Sequence, residues 1–219
     1  MEYKVKIINI ESVTHDTKKF ILEKPLEYTF TPGQATNLSI NKPIWMDQTR
    51  PFTFTSLNSE TNLELIIKTY PEHHGVTKKL FELVPGDELF ISDPWGYMQY
   101  KGEGIFIAGG TGLTPFLAIF RELNKNNNLN ENKLIFSNKT KNDILLETEL
   151  KNLFKNNLIL TLTKEKSPNY LNERINESFL KNHIKDFSIY FYICGPQEFT
   201  DEIKDTLIKL GANPEKIIT

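Results

Sequence analysis

Cysteine occurs once in this 219-residue chain, at position 194. No internal disulfide can form, and the chain's own cysteines cannot hold an iron-sulfur cluster. Basic residues show no excess either: 26 Lys and Arg stand against 28 Asp and Glu, a formal net charge of -2, which argues against a nucleic-acid partner. No apolar run approaches the roughly 20 residues of a membrane span. The opening MEYKVKIINIE alternates polar and apolar residues rather than placing a charged segment ahead of an apolar one, so the cytoplasm is the expected compartment. No repeats recur along the chain, and no metal site is expected, because the pair His73-His74 has no third ligand in view.

What is present is a globular composition, 39% hydrophobic with 11% aromatic and 25% charged residues. Up to about residue 100 the apolar residues come in six short bursts: YKVKIINI, KKFILEK, ATNLSI, RPFTFTS, LELIIKTY and DELFIS. Turn signals separate them, among them Thr31-Pro32-Gly33-Gln34 and Val84-Pro85-Gly86-Asp87. This rhythm predicts an antiparallel barrel or sandwich. One helix is expected over Val76 to Val84, where Val76, Leu80, Leu83 and Val84 recur at helical spacing.

Beyond residue 100 strands and helices alternate. Strands are expected at GIFIA, KLIFS, LILTLT and SIYFYIC, with helices marked by Phe116, Phe120 and Leu123, by Leu146, Leu150 and Phe154, and by Phe199, Ile203, Leu207 and Leu210 before a stop at Gly211. Alternation of this kind predicts a parallel sheet covered by helices on both faces. Two domains follow, residues 1–100 and 101–219, with the boundary near Tyr100 to Gly104. The Asn-rich stretch 124–132 is expected to be a solvated surface loop.

The stretch GGTGLTP, 109 to 115, stands where the strand GIFIA hands over to a helix. In a parallel sheet that place faces the crevice where nucleotides bind. Glycines there permit a tight turn with positive φ and close approach of a phosphate, Thr114 can cap the helix, and Pro115 suits its first turn. A plain strand-to-helix connection would use the same glycines. YICGPQEF repeats the arrangement, with Cys194-Gly195-Pro196 between a strand and a helix start, and both turns should open at one sheet edge. Taken alone, Cys194 reads as a small buried residue with an inert thiol. At the end of the second strand the chain has Ser137-Asn138-Lys139-Thr140-Lys141, with no acid for a ribose hydroxyl. Two lysines there can meet a 2'-phosphate, which tilts the expectation toward NADPH, although lysines in a loop are as often simply solvated.

In the first half, RPFTFTS taken alone reads as a barrel strand with aromatics inward and hydroxyls outward. Gly75 and Thr77 sit at a helix start suited to an anion. The four motifs together, in order along nearly the whole chain, resemble the ferredoxin-NADP reductase family, with an N-terminal flavin-binding β-barrel joined to a C-terminal nicotinamide-nucleotide α/β domain. Arg50-Pro51-Phe52-Thr53 followed by Ser56 is similar to its flavin motif, Gly75-Val76-Thr77 to its pyrophosphate turn, Gly109 to Pro115 to its nucleotide turn, and Cys194-Gly195-Pro196 to its nicotinamide-side motif.

The resemblance implies FAD as prosthetic group and NADPH or NADH as donor. Arg50 would pair with the FAD pyrophosphate, Phe52 would pack on the isoalloxazine, and Thr53 would bond flavin N5. Gly75, Val76 and Thr77 would hold the diphosphate, with Lys68, Thr69 and Tyr70 flanking the ribityl and adenosine portions. Gly110, Thr111, Gly112, Leu113, Lys139, Gly195 and Pro196 would bind the nicotinamide nucleotide, and Cys194, with Thr53, would line the hydride path. Phe52 and Thr53 replace the family's more frequent tyrosine and serine, keeping a stacking face and a hydroxyl. Many relatives end in an aromatic residue over the flavin; here the last residues are Ile217-Ile218-Thr219, so the face is either open or covered by Tyr97 or Tyr100. The implied reaction is hydride transfer from NAD(P)H to the flavin, then single electrons to a small carrier such as flavodoxin or ferredoxin. An electron-transfer or regulatory subunit working only within a complex is the alternative on the same fold. A nucleotide sensor without flavin would leave Arg50, Phe52 and Thr77 with structural tasks alone.

Overall fold

A computed structural model describes residues 2–70, 72, 75–96, 98–129 and 131–219. The chain divides into two compact units, Met1–Gln99 with Thr114–Glu122, and Tyr100–Leu113 with Leu123–Thr219.

The first unit is antiparallel. Its strands are β1 (Glu2–Thr14), β2 (Thr17–Glu23), β3 (Ala35–Ile40), β4 (Arg50–Thr53), β5 (Asn62–Lys68) and β6 (Glu88–Ser92), one for each apolar burst, in the order β4-β3-β6-β1-β2-β5. The period-two pattern decides which side chains face inward. On β5, Leu63, Leu65 and Ile67 are within 1% of complete burial, each burial stabilising by about 1.5–3 kcal/mol. The two edge strands meet just past β4: Phe54 bridges Leu65, and Thr55 N–H donates to Glu64 O at 2.9 Å. The sheet therefore closes on itself as a barrel. Arg121 pins this seam, donating from Nη1 to both Thr55 O and Glu64 Oε1 at 2.7 Å.

Helix α1 spans Val76–Leu80 only, shorter than the spacing predicts. Val76, Leu80 and Leu83 are buried, whereas Val84 is exposed. The turn after it competes for the chain: Asp87 N–H donates to Val84 O, Val84 N–H donates to Asp87 Oδ2, and Gly86 adopts φ 96°, a conformation that needs glycine.

The second unit is a parallel sheet of β7 (Gly104–Gly109), β8 (Lys133–Asn138), β9 (Leu158–Leu162), β10 (Tyr190–Cys194) and β11 (Ile217–Ile218), in the order β11-β10-β7-β8-β9. Helix α2 (Thr114–Lys125) follows the glycine turn, then α3 (Glu147–Phe154), α4 (Glu177–His183) and α5 (Gln197–Lys209). One sheet face carries Ile105, Ile107, Ile135, Phe191 and Ile193 against Phe179 and Leu180 of α4 and Ile203 and Leu207 of α5. On β7 and β10 the alternate positions form an aromatic stack: Phe106 lies 4.3 Å from Tyr192, and Tyr100 lies 5.9 Å from Tyr192. Tyr100 is half-buried and packs in this unit; Tyr97 and the pair His73-His74 lie outside the described residues.

The Asn-rich stretch is not merely solvated. Asn132 is fully buried; its Oδ1 accepts from Gly104 N–H at 3.1 Å, and its Nδ2 donates to Asn128 O and Tyr100 Oη. An amide there satisfies the main chain where β7 begins, before β8 can supply a ladder partner.

Candidate functional site

On the barrel, β4 opens with Arg50, exposed, its Nη1 donating to Thr49 O at 2.7 Å. Pro51 lacks an N–H and is tolerated because β4 is a terminal strand in the sheet order. Phe52 and Thr53 are both half-buried and point to opposite faces. Phe52 leans on the barrel core, and Thr53 takes the other side. The motif then changes task. Thr55 and Ser56 are fully buried, Thr55 Oγ1 donating to Glu64 Oε1 at 2.7 Å and Ser56 Oγ accepting Glu64 N–H at 2.9 Å. Ser56 is thus part of the seam that closes the barrel.

At the far end of β5, Lys68 Nζ forms an ion pair with Asp16 Oδ2 at 2.6 Å, and Thr69 N–H donates to Asp16 O at 2.8 Å. Burial opposes ionisation of the Asp16 carboxyl, but hydrogen bonds from Lys68, Thr14 and Thr17 outweigh it and hold the group below the ordinary carboxylate range. Lys68 is therefore engaged within the barrel, while Tyr70 is exposed. Gly75 is extended, at φ -120°, Val76 is buried in the core, and Thr77 is half-buried.

In the second unit the glycine turn is a 3-10 helix over Gly110–Leu113 that runs directly into α2, so Thr114 is the first residue of that helix rather than its cap. β7 and β10 are neighbours, and the strand order reverses between them, since β8 and β9 lie on one side and β10 and β11 on the other. Ligands bind at such a reversal. The two turns leaving these strands are in contact: a Cβ on Gly112 would stand 2.2 Å from Cys194 O and 2.6 Å from Gly195 N. Gly112 is thus required by the facing turn, and Gly110 is the one member with positive φ, 54°. No atom lies within 4 Å of the Cβ position at Gly110, which leaves its backbone open to a ligand.

Cys194 ends β10 half-buried, and burial pushes its thiol up to about 11, partly offset by a hydrogen bond from Gly195 N–H. The sulfur is a neutral thiol at pH 7. Pro196 is exposed at the start of α5.

Lys139 and Lys141 are exposed after β8. An acid does stand beside this loop, after the third strand of the unit. Glu165, half-buried after β9, accepts Lys141 N–H on Oε2 at 2.9 Å, and Lys164 N–H donates to Lys139 O at 2.9 Å. Glu165 lies in the KEK run after LILTLT, a strand away from the β8 loop in sequence, so only the fold brings the two together.

An exposed arginine heading a strand with a half-buried aromatic and hydroxyl, and two abutting turns with open backbone at Gly110, fit a flavin and a nicotinamide nucleotide respectively. Residues 4–100 match the family model for an oxidoreductase FAD-binding domain, and residues 106–205 that for an oxidoreductase NAD-binding domain. NADH-cytochrome b5 reductase 2-A of Vanderwaltozyma polyspora is 29% identical over 210 residues, covering 88% of this chain and 71% of the relative. A ferredoxin NADP+ reductase from Neisseria gonorrhoeae, solved with FAD and NADP, shares the fold with a TM-score of 0.86 at 22% identity, covering 99% of this chain and 97% of that one. The CS-b5R domains of human Ncb5or in the NAD+ form give 0.86 at 26% identity, covering 99% and 68%.

The chain is an oxidoreductase that uses FAD and a nicotinamide nucleotide. It belongs to the ferredoxin-NADP reductase-like family. Among the described residues no helix is long and apolar enough to cross a membrane.

Proposed function

We propose that this protein takes electrons from NADH and delivers them to a haem carrier of the cytochrome b5 type, rather than to flavodoxin or ferredoxin. Support for the acceptor comes from relatives named NADH-cytochrome b5 reductase across fungi, fish and frogs. For the donor, the carrying observation is Glu165: a carboxylate held by Lys141 N–H beside Lys139 opposes a 2'-phosphate and suits ribose hydroxyls. This reverses the tilt toward NADPH drawn from the lysines alone.

In this reading residues 1–100 form the FAD domain and 101–219 the nucleotide domain. Arg50, with the backbone of Gly75, Val76 and Thr77, neutralises the FAD diphosphate; Phe52 offers a ring face, and Thr53 a hydroxyl for N5. Pro51 keeps β4 an edge, and Thr69 and Tyr70 flank the rest of the cofactor while Lys68 braces that end through Asp16. Gly110, Thr111, Gly112 and Leu113 face Cys194, Gly195 and Pro196 across the NADH site. Bound flavin supplies the conversion of a two-electron hydride into single electrons. The residues supply alignment, and the protonated Cys194 thiol shapes the nicotinamide pocket without acting as a nucleophile.

The test is anaerobic reduction of the purified yellow protein. NADH should bleach the flavin band at least about tenfold more effectively than NADPH, a preference worth about 1.4 kcal/mol, and the reduced protein should then turn cytochrome b5 to its reduced spectrum faster than flavodoxin or ferredoxin. Equal use of both nucleotides would remove the Glu165 argument. Bleaching by NADH with no transfer to cytochrome b5 would remove the acceptor.

A further inference from the structure

Asn138 is the last residue of β8 and is 5% exposed. Both polar atoms of its side chain, Nδ2 and Oδ1, are buried without a hydrogen-bond partner. A carboxamide can donate two hydrogen bonds and accept two, so an amide with neither end matched is a worse occupant of an enclosed position than an apolar side chain of the same shape. The main chain is not at fault. Asn138 O accepts Thr163 N–H at 2.9 Å and Thr163 Oγ1 at 3.3 Å, and the residue stands in register with Leu162 of β9.

Its neighbours sharpen the anomaly. Asn132, just ahead of the same strand, is equally buried and has partners at both ends of its amide. Thr161 on β9 is fully buried and bonded, its Oγ1 donating to Glu173 O. The orphan stands instead at the carboxyl end of the strand, the end where ligands bind in a parallel sheet. One register step earlier Ser137 lies beside Gly109, from which the glycine turn departs, and the turn Gly110–Leu113 rests against the end of β8. Neither amide atom is reachable by water. A partner can therefore arrive only through movement of the side chain or of the turn, in which Gly110 has open space at its Cβ position while Gly112 lies against the facing turn.

We propose that Asn138 is a positioning residue for the nicotinamide nucleotide, its amide unmatched in the free protein and bonded to the turn Gly110–Leu113 once that turn has adjusted around the bound dinucleotide. The inference rests on the reading of this turn as the nucleotide site. Its consequence is a division of effects: the amide weakens the free fold and strengthens the bound state, as unfavourable local arrangements at binding sites do.

The test uses the full-length, FAD-loaded protein with NAD+ as the probe, followed by calorimetric titration and by thermal unfolding without nucleotide, neither of which depends on turnover. Asn138→Leu should raise the unfolding temperature by about 2–4 °C and weaken NAD+ binding about tenfold, with flavin content unchanged. Asn138→Ala should weaken NAD+ binding equally while unfolding near the wild-type temperature, and it reads out affinity even if the leucine is too bulky to fold. Wild-type NAD+ affinity in Asn138→Ala, with a lowered unfolding temperature, would mean the amide has a purely structural task and would overturn the proposal. A flat titration already in the wild-type protein would instead remove the nucleotide reading beneath it.

Discussion

The two units prepare for their cofactors in opposite ways. On the barrel the candidate groups are side chains at the rim: Arg50 and Tyr70 are exposed, and Phe52, Thr53 and Thr77 are half-buried. In the parallel-sheet unit the corresponding features are backbone, two turns packed so closely that the Cβ position of Gly112 lies 2.2 Å from Cys194 O. A rim of side chains can be trimmed with little harm to the fold, whereas a side chain added at Gly112 cannot be accommodated without displacing the turn that faces it.

Gly112→Ala tests the sharper half of that contrast. The added methyl meets backbone rather than a flexible side chain, so about 3 kcal/mol of stability should be lost, together with NAD+ binding, as read by thermal unfolding and titration. Gly110→Ala is the control: its φ of 54° costs a non-glycine residue about 1 kcal/mol, but nothing stands in the way of the methyl. Similar losses in both variants would erase the distinction.

Arg50→Ala should behave conversely. Unfolding without cofactor should change by less than about 0.5 kcal/mol, as at an ordinary surface position, while FAD affinity, read by flavin fluorescence, should fall roughly 10- to 100-fold for loss of a charged hydrogen-bonding group. Cys194→Ser should retain flavin and slow NADH-driven reduction about tenfold, or about 1.4 kcal/mol of barrier; complete loss of flavin would contradict its place in the second unit. Because burial raises the Cys194 thiol to about 11, iodoacetamide should label it slowly at pH 8. The same shift means the stability it contributes is intact below the ordinary thiol range and is lost as pH rises through about 11.

Glu165→Gln should narrow the preference between NADH and NADPH without changing flavin content, measured as the ratio of kcat/KM values. The smallest effect belongs to Asp16. Its folded-state pKa is lowered, so its contribution to stability is present above the ordinary carboxylate range and disappears as pH falls through the lowered value. Asp16→Asn should therefore flatten the acid limb of a stability-against-pH curve and leave the neutral region less affected.

Most of the fold was legible from local pattern. Each of the six apolar bursts before residue 100 became a strand, and the glycine turn fell at the carboxyl end of β7, because strand alternation and turn residues act over a few neighbours. The helix after Gly75 was read too long, since periodicity could not register the hydrogen bonds between Val84 and Asp87 that end it. Helix α4 was missed altogether; it is only seven residues, Glu177–His183, too short for its spacing to stand out.

The candidate site divides along the same line. Arg50, Phe52, Gly110 and Cys194 could be singled out because each sits in a short motif. Glu165 and Asn138 could not, because their significance lies in which strand ends stand side by side and in which polar atoms find partners. Order of motifs, the two rhythms and the glycine positions were determined by the sequence itself, through interactions spanning a few residues. Contact between the two turns, the pairing of Lys68 with Asp16 and the unmatched amide of Asn138 were decided only by tertiary structure, since β7 and β10 become neighbours across the long chain segment between Gly109 and Tyr190, and hydrogen-bond satisfaction depends on every element that closes around a group.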